Sequence, residues 1–484
     1  MQIRSRIPIL VLLIFITNLS CKKLVSVPSP VISVNSANVY SSDPTAIAVL
    51  TGIYTNMSSA DASINGIASL YLYASLSADE LTLFDVSNIL YNPYYTNALT
   101  NSNTSVDYWK ILYPIIYQAN AAIEGLSNGV GLTPAIKQQL LGEAYFVRAF
   151  CYFYLTNLYG DCALATSTDY SANAVLPRSS SAAIWQQVVA DLHTAQGLLS
   201  SNFLDATLLK TTSERTRPTV WAATALLARA YLYTSNWRGA DSAASSIIGN
   251  SGYSLAPLTG TSRVFVKNSI ESIWQLQAVG TVGGNVNTGE GYLFVLPTTG
   301  PNTSGTYPVY LGNALLKSFE VGDQRRVNWV DSVKVGTTLY YFPYKYQAGR
   351  LNTTTTEYST VLRLAELYLI RAEARAEEGI VTGANSAAAD LNAIRQRAGL
   401  SGTSATIQSD MLAAILHERQ VELFTEWGHR WMDIKRTMTV DAIMGAPGNA
   451  CSNKGGSWST TWEWYPIALS ELKADSHLQQ NAGY

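Results

Sequence analysis

Glu418, Glu422 and Glu426 stand four residues apart, on one face of any helix they form. Three acids so spaced could ligate a metal or share acid–base work. Arg419 and Arg430 lie three or four residues from them, so the spacing reads as a charged helix face with its counter-ions in place. His417-Glu418 opens an H-E-x-x-H run, but Val421 stands where the second zinc-binding imidazole belongs. The remaining His are at 193, 429 and 477, too few and too scattered for a zinc enzyme. No G-x-S-x-G nucleophile elbow and no phosphate-binding P-loop occurs. Asp61, Ser63, Asn65 and Gly66 imitate the start of a calcium loop, yet Leu72 occupies the twelfth position, where a bidentate Glu is needed. Asp79, Glu80 and Glu290 are conceivable glycosidase carboxylates, but nothing around them singles them out. No catalytic residue, metal ligand or cofactor is therefore assigned, and a structural calcium ion, though compatible with the chain, is not indicated.

Aromatic residues beside amides carry a stronger signal. Tyr91, Asn92, Tyr94, Tyr95 and Asn97 fall in one loop, and Tyr292, Tyr307, Tyr310, Trp329, Tyr340 and Tyr341 in a second, longer one. A sugar ring has a C–H face that a flat aromatic ring covers and a hydroxyl rim that amides bond. Tyr91, Asn92, Tyr94, Tyr95, Asn97, Tyr292, Tyr310 and Trp329 are therefore the candidate ligand-binding residues. The competing reading is that these rings pack the loops onto the body.

Cys21 offers a different chemistry. The leader MQIRSRIPILVLLIFITNLSC has basic Arg4 and Arg6, an apolar run from Ile7 to Ile16, and Ser20 before the cysteine. That run is too short to span a membrane and has the length of a secretory signal. Residues 1–20 read as a lipoprotein signal peptide and Cys21 as the acylated residue, although Asn18 replaces the usual Leu; a plain signal peptide cut nearby is the alternative. Residues 21–42 read as a tether, marked by prolines. The other cysteines are Cys151, Cys162 and Cys451, and a bridge between Cys162 and Cys451 is left open.

The elements that must hold these residues are mostly helical. Charged residues make up 14% of the 484 and net charge is −2, which gives no case for nucleic acid and suits a neutral polar ligand. Helices are predicted from Asp43-Pro44 to Met57, over 106–126 with a kink at Pro114, from Thr133-Pro134 to Tyr159, and over 182–199, 218–233 and 237–248. Residues 251–356 read as loops with short strands, such as SIWQLQAV and YLFVLP. Helices return over 358–378, 385–397, 408–427 and 429–436, and 437–484 is a closing loop with a short LSEL turn. Alanines at the crossings suggest tetratricopeptide-like helix pairs, without a regular 34-residue period. The division is an N-terminal region 43–250 and a C-terminal region 251–484 within one compact body.

Several segments together resemble the SusD/RagB family of outer-membrane nutrient-binding lipoproteins. They are SADE (77–80), WKILY with QAN (109–120), GEAYFVRAFCYFYLTNLYGD (142–161), LRLAELYLIRAEA (362–374), LNAIRQRAGL (391–400), ILHERQVELFTEWGHRWMDIKR (415–436) and the closing YPI and QNAGY. Gly160-Asp161-Cys162-Ala163-Leu164 lacks the proline that family members often carry there, and Lys22-Lys23 follow the cysteine where surface-exported members often have acids. The resemblance implies a mostly α-helical scaffold of tetratricopeptide-like pairs with a loop-rich ligand region. It also implies a binding protein rather than an enzyme, lipid-anchored at the outer membrane, that passes an oligosaccharide to a TonB-dependent SusC-like transporter. The same fold binding peptides or another nutrient, and a secreted glycoside hydrolase, are the alternatives.

Overall fold

The computed structural model describes residues 39–58, 70–103, 106–278, 286–350, 352–445 and 448–484. The signal peptide, Cys21 and the calcium-like stretch 61–66 lie outside them.

Helix α1 (Asp43–Met57) begins with Pro44, whose fixed φ suits a first turn. Asp43 does not cap its own helix; its carboxylate accepts from the Thr133 N–H at 2.9 Å and hydroxyl at 2.7 Å. This fastens α1 to the start of a later helix. Helix α2 (Leu70–Ser77) is buried along its whole length. Helix α3 (Tyr108–Asn128) is capped by Asp107 and carries Pro114 inside it. Helix α4 (Pro134–Tyr159) is buried on nearly every side and ends at Gly160, whose φ of 71° favours glycine. It packs against α3 and against α5 (Ser181–Leu198). Gly142 permits the second approach, since a Cβ there would meet the Leu199 side chain at 2.9 Å.

Helices α6 (Val220–Tyr233) and α7 (Trp237–Ile248) pair in turn, and α7 packs on α8 (Leu364–Glu377), which pairs with α9 (Ala387–Arg397). Helices α10 (Gln408–Glu422) and α11 (His429–Arg436) follow, and short helices Val440–Met444, Ala450–Asn453 and Leu469–Ala474 lie beyond them. Successive antiparallel pairs with alanine at the contacts give the expected mostly helical scaffold.

The strands are short and paired in twos. β1 (Leu81–Leu83) joins β3 (Val309–Leu311), β2 (Ser272–Leu276) joins β6 (Ser359–Arg363), and β4 (Val330–Val335) forms a hairpin with β5 (Thr338–Pro343). One apolar core takes residues from Tyr40 to Ile467, and a smaller cluster sits among α8, α9 and α10. Trp274 of β2 ties helix to sheet, with edge-on contacts to Phe146 and Phe150 at 4.9 and 5.5 Å.

Three local expectations need correction. Ser359–Arg363 is strand, not helix, because it pairs antiparallel with β2 before α8 begins. YLFVLP is not a strand; Gly289–Phe294 forms a short helix capped by the Thr288 side chain. The helix expected to run to Trp427 stops at Glu422, and Thr425 and Trp427 adopt left-handed conformations, φ 53° and 46°. Cys162 and Cys451 are buried free thiols, so the bridge left open does not form.

Candidate functional site

The two aromatic loops meet across the β1–β3 ladder. Thr82 of β1 stands opposite Tyr310 of β3. The short helix Asn92–Tyr95 packs near β1, and the half-buried Tyr310 and the largely buried Tyr95, 6% exposed, line one cleft with a volume of about 450 Å³. Asp79, Thr82, Asn313, Lys317, Asn453 and Lys454 supply its polar lining. Burial pushes the Tyr95 phenol above its usual range, as does the neighbouring Tyr310, against a hydrogen bond to Thr82. Tyr310 is half-buried and meets Tyr340 of β5 edge-on at 5.1 Å; Tyr340 meets Phe84 likewise at 5.9 Å. The cleft thus has an aromatic wall and an amide and hydroxyl rim, the complement of a sugar's two surfaces.

Its floor is held by charge. Arg430 of α11 donates two 2.7 Å hydrogen bonds to Asp79. Burial pushes the Asp79 carboxyl up, but the guanidinium outweighs it and holds it below the ordinary carboxylate range. The Lys454 ammonium donates to the carbonyls of Leu76 at 2.7 Å and of Ala78, closing the C-terminus of α2, and lies 5.4 Å from the Tyr95 ring centre. Burial pulls its pKa down to about 8.

The other candidate residues lie elsewhere, and several need correction. Tyr94 is 1% exposed, donates to the Val106 carbonyl at 2.6 Å and packs on Tyr73 and Tyr465. Tyr91 is 3% exposed beside Tyr73, and Trp329 is 1% exposed between Phe265 and the Lys345 ammonium. These three rings offer no open face and act as packing. Asn97 is buried in a left-handed conformation and donates to the Ser77 carbonyl at 3.0 Å. Asn92 opens the short helix, and its backbone carbonyl accepts from the Thr96 N–H and hydroxyl. Tyr292 belongs to a separate clamp: the Arg350 guanidinium sits 3.6 Å from its ring and 4.7 Å from that of Tyr307, and donates to the Tyr292 and Thr306 carbonyls. The clamp fixes the loop that leads into β3.

The acidic triplet also needs correction. Glu418, Glu422 and Glu426 are all buried, and their counter-ions are not the expected Arg419 and Arg430. Arg325 pairs with Glu418 at 2.6 Å and Glu422 at 3.0 Å, Arg363 pairs with Glu422 at 2.6 Å and Glu426 at 2.8 Å, and Lys345 pairs with Glu426 at 2.5 Å. Arg397 bonds Glu422 as well. Burial pushes the Glu422 carboxyl up, but its three guanidiniums hold it well below the ordinary range. The expected counter-ions are engaged elsewhere, Arg419 with Asp433 and Arg430 with Asp79. Glu320, His417 and Glu418 also come close enough for a metal, but Arg395 bonds both carboxylates and His417 Nε2 meets the Ser318 carbonyl at 2.7 Å.

Comparison with known proteins decides the family. A profile described as the SusD family matches residues 322–484, and one described as starch-binding associating with outer membrane matches residues 41–232. The chain belongs to the SusD family. It is 26% identical over 388 residues to SusD-like protein P25 of Formosa agariphila, covering 70% of this chain and 71% of that one. Its fold is similar to a laminarin-binding SusD-like protein, with TM-score 0.72 and 24% identity over 91% of this chain and 99% of the other. It is also similar to surface glycan-binding protein A from Bacteroides thetaiotaomicron, with TM-score 0.75 and 19% identity over 92% and 100%. Sequence reasoning missed Thr82, Asn313, Lys317, Asn453 and Lys454 at the cleft of this SusD-family chain. Isolated polar residues in loops carry no periodicity that would flag them.

Proposed function

We propose that this SusD-family protein binds an oligosaccharide in the Tyr95–Tyr310 cleft and passes it, unaltered, to a TonB-dependent outer-membrane transporter. Cys21 carries the lipid that holds it at the cell surface. The observation that carries this reading is the convergence of Tyr95 and Tyr310, from loops more than 200 residues apart, on one cleft rimmed by Asn313 and Asn453. The laminarin-binding SusD-like protein and the surface glycan-binding protein of similar fold support the ligand class. Binding without turnover fits the lining: its one carboxylate, Asp79, is locked to Arg430, whereas glycoside hydrolysis uses two. A peptide ligand on the same fold is the second reading, and a panel of peptides and glycans separates the two.

The test is affinity electrophoresis or calorimetry on a glycan panel. Tyr310→Ala should weaken binding about 3- to 10-fold, the worth of one stacked ring, with no released sugar at any time. Unchanged binding after Tyr310→Ala, or steady release of shorter products, would contradict the reading.

A further inference from the structure

A second recess, of about 760 Å³, lies between α5 and α6 and shares no residue with the Tyr95–Tyr310 cleft. Trp185 of α5 and Tyr231 and Tyr233 of α6 line it, each half-buried. These rings are held from behind. Phe153 of α4 meets Trp185 edge-on at 5.5 Å and Tyr233 at 5.1 Å. His193 Nε2 lies 2.9 Å from the Tyr231 hydroxyl, and its Nδ1 lies 3.1 Å from Gln196 Oε1. The Tyr231 ring is seated on α7 at Gly239, where a Cβ would meet its Cδ2 at 2.7 Å. Fixed in this way, the rings lose little freedom when a ligand arrives. Tyr94 and Trp329 are closed over by their neighbours, but here the small, exposed Ala182 and Ala190 flank Trp185 on α5 and leave the recess open. Its polar lining comes from the Gln186 and Asn236 amides, the Thr234 hydroxyl and the His193 imidazole. None of the described residues that line it is Asp, Glu, Lys or Arg.

We infer that the α5–α6 recess is a second binding site, for a neutral oligosaccharide, independent of the cleft. Three anchored rings cover the C–H faces of sugar units, and amides and hydroxyls meet the hydroxyl rims. The volume is that of a small-ligand site, and a lining without charge offers nothing to an ionic ligand. Two sites on one chain grip a long polysaccharide at two points, which strengthens its attachment more than that of a short fragment.

Affinity electrophoresis of the full chain through gels containing laminarin, starch or galactomannan tests it. For a polymer that retards the parent, Tyr231→Ala should weaken binding about 3- to 10-fold, the worth of one stacked ring, and Tyr231→Ala with Tyr310→Ala should migrate as in a gel without polysaccharide. Ala190→Glu, at an exposed helix position, obstructs the recess without removing any packing. It should reproduce the loss seen in Tyr231→Ala while melting at the parent's temperature. Parental retardation of both Tyr231→Ala and Ala190→Glu, with Tyr310 intact or replaced, overturns the second site and leaves the recess as a face for protein contact. A loss in Tyr231→Ala that Ala190→Glu does not share overturns it too, since that loss then reports folding. The cleft is read separately. If Tyr310→Ala binds as the parent does while the two recess variants fail, the recess stands and the cleft reading falls. If Tyr310→Ala alone is weakened, the cleft stands and the recess falls. If no polymer retards the parent, both fall.

Discussion

Glu290 is a carboxyl whose surroundings favour the proton. It is 4% exposed, Ser359 donates to one oxygen at 2.6 Å, and the other has no hydrogen-bond partner among the described residues. Burial, with Glu426 and Glu357 nearby, pushes its pKa from 4.5 up to about 7. A group whose pKa rises on folding stabilises fully below its unfolded value, and that stabilisation is lost as pH climbs through the folded value. Glu290→Gln should therefore match the parent near pH 5 but be the more stable of the two at pH 8, by up to about 3 kcal/mol. Urea midpoints at the two pH values read this directly; a gap that is constant with pH would refute it. Tyr94 illustrates the opposite trap. As a buried ring with its hydroxyl engaged, Tyr94→Ala should cost about 3–5 kcal/mol of stability, measured by chemical denaturation. A loss of ligand binding in that variant would report unfolding rather than contact.

At the scale of elements, ion pairs buried between helices set the arrangement. Arg229 of α6 and Glu366 of α8 meet through two hydrogen bonds of 2.6 Å, both groups almost without exposure. Such a pair adds little net stability over an apolar one, but removing a single partner strands a charge. Arg229→Met should cost about 3–5 kcal/mol, and Arg229→Met with Glu366→Leu should recover much of it. Thermal melts of the single and double variants check this; additive losses would count against a coupled pair. The same physics explains why the acidic triplet has counter-ions that its local spacing does not predict. Helix spacing places Glu418, Glu422 and Glu426 together correctly, but their partners Arg325, Lys345, Arg363 and Arg397 come from segments 25 to 97 residues distant. The segment Ser359–Arg363 is strand where local pattern predicts helix, for a related reason. Its strand partner β2 lies nearly 90 residues earlier, and long-range pairing overrides local propensity.

At the scale of the whole molecule, the helical scaffold holds β1 and β3 side by side and so brings the two aromatic loops to one face. No helix among the described residues is long and apolar enough to cross a membrane. The acyl group proposed on Cys21 is tested separately: Cys21→Ser should move the protein from the membrane pellet to the soluble fraction, with loss of fatty-acid labelling. Retention of both membrane association and label in that variant would place the anchor elsewhere.

The chain by itself determined the long helices, their starts at Pro44 and Pro134, their stop at Gly160, and the family, because capping residues and apolar periodicity act over a few residues and are written locally. It also pointed to the two loops that contain Tyr95 and Tyr310. Only the tertiary structure decided that Tyr91, Tyr94, Tyr95 and Trp329 are buried, that the half-buried Tyr310 lines a cleft together with Tyr95, and that Lys317 and Lys454 stand beside them. Which face of a ring meets water depends on chain segments hundreds of residues away, and no local pattern encodes that.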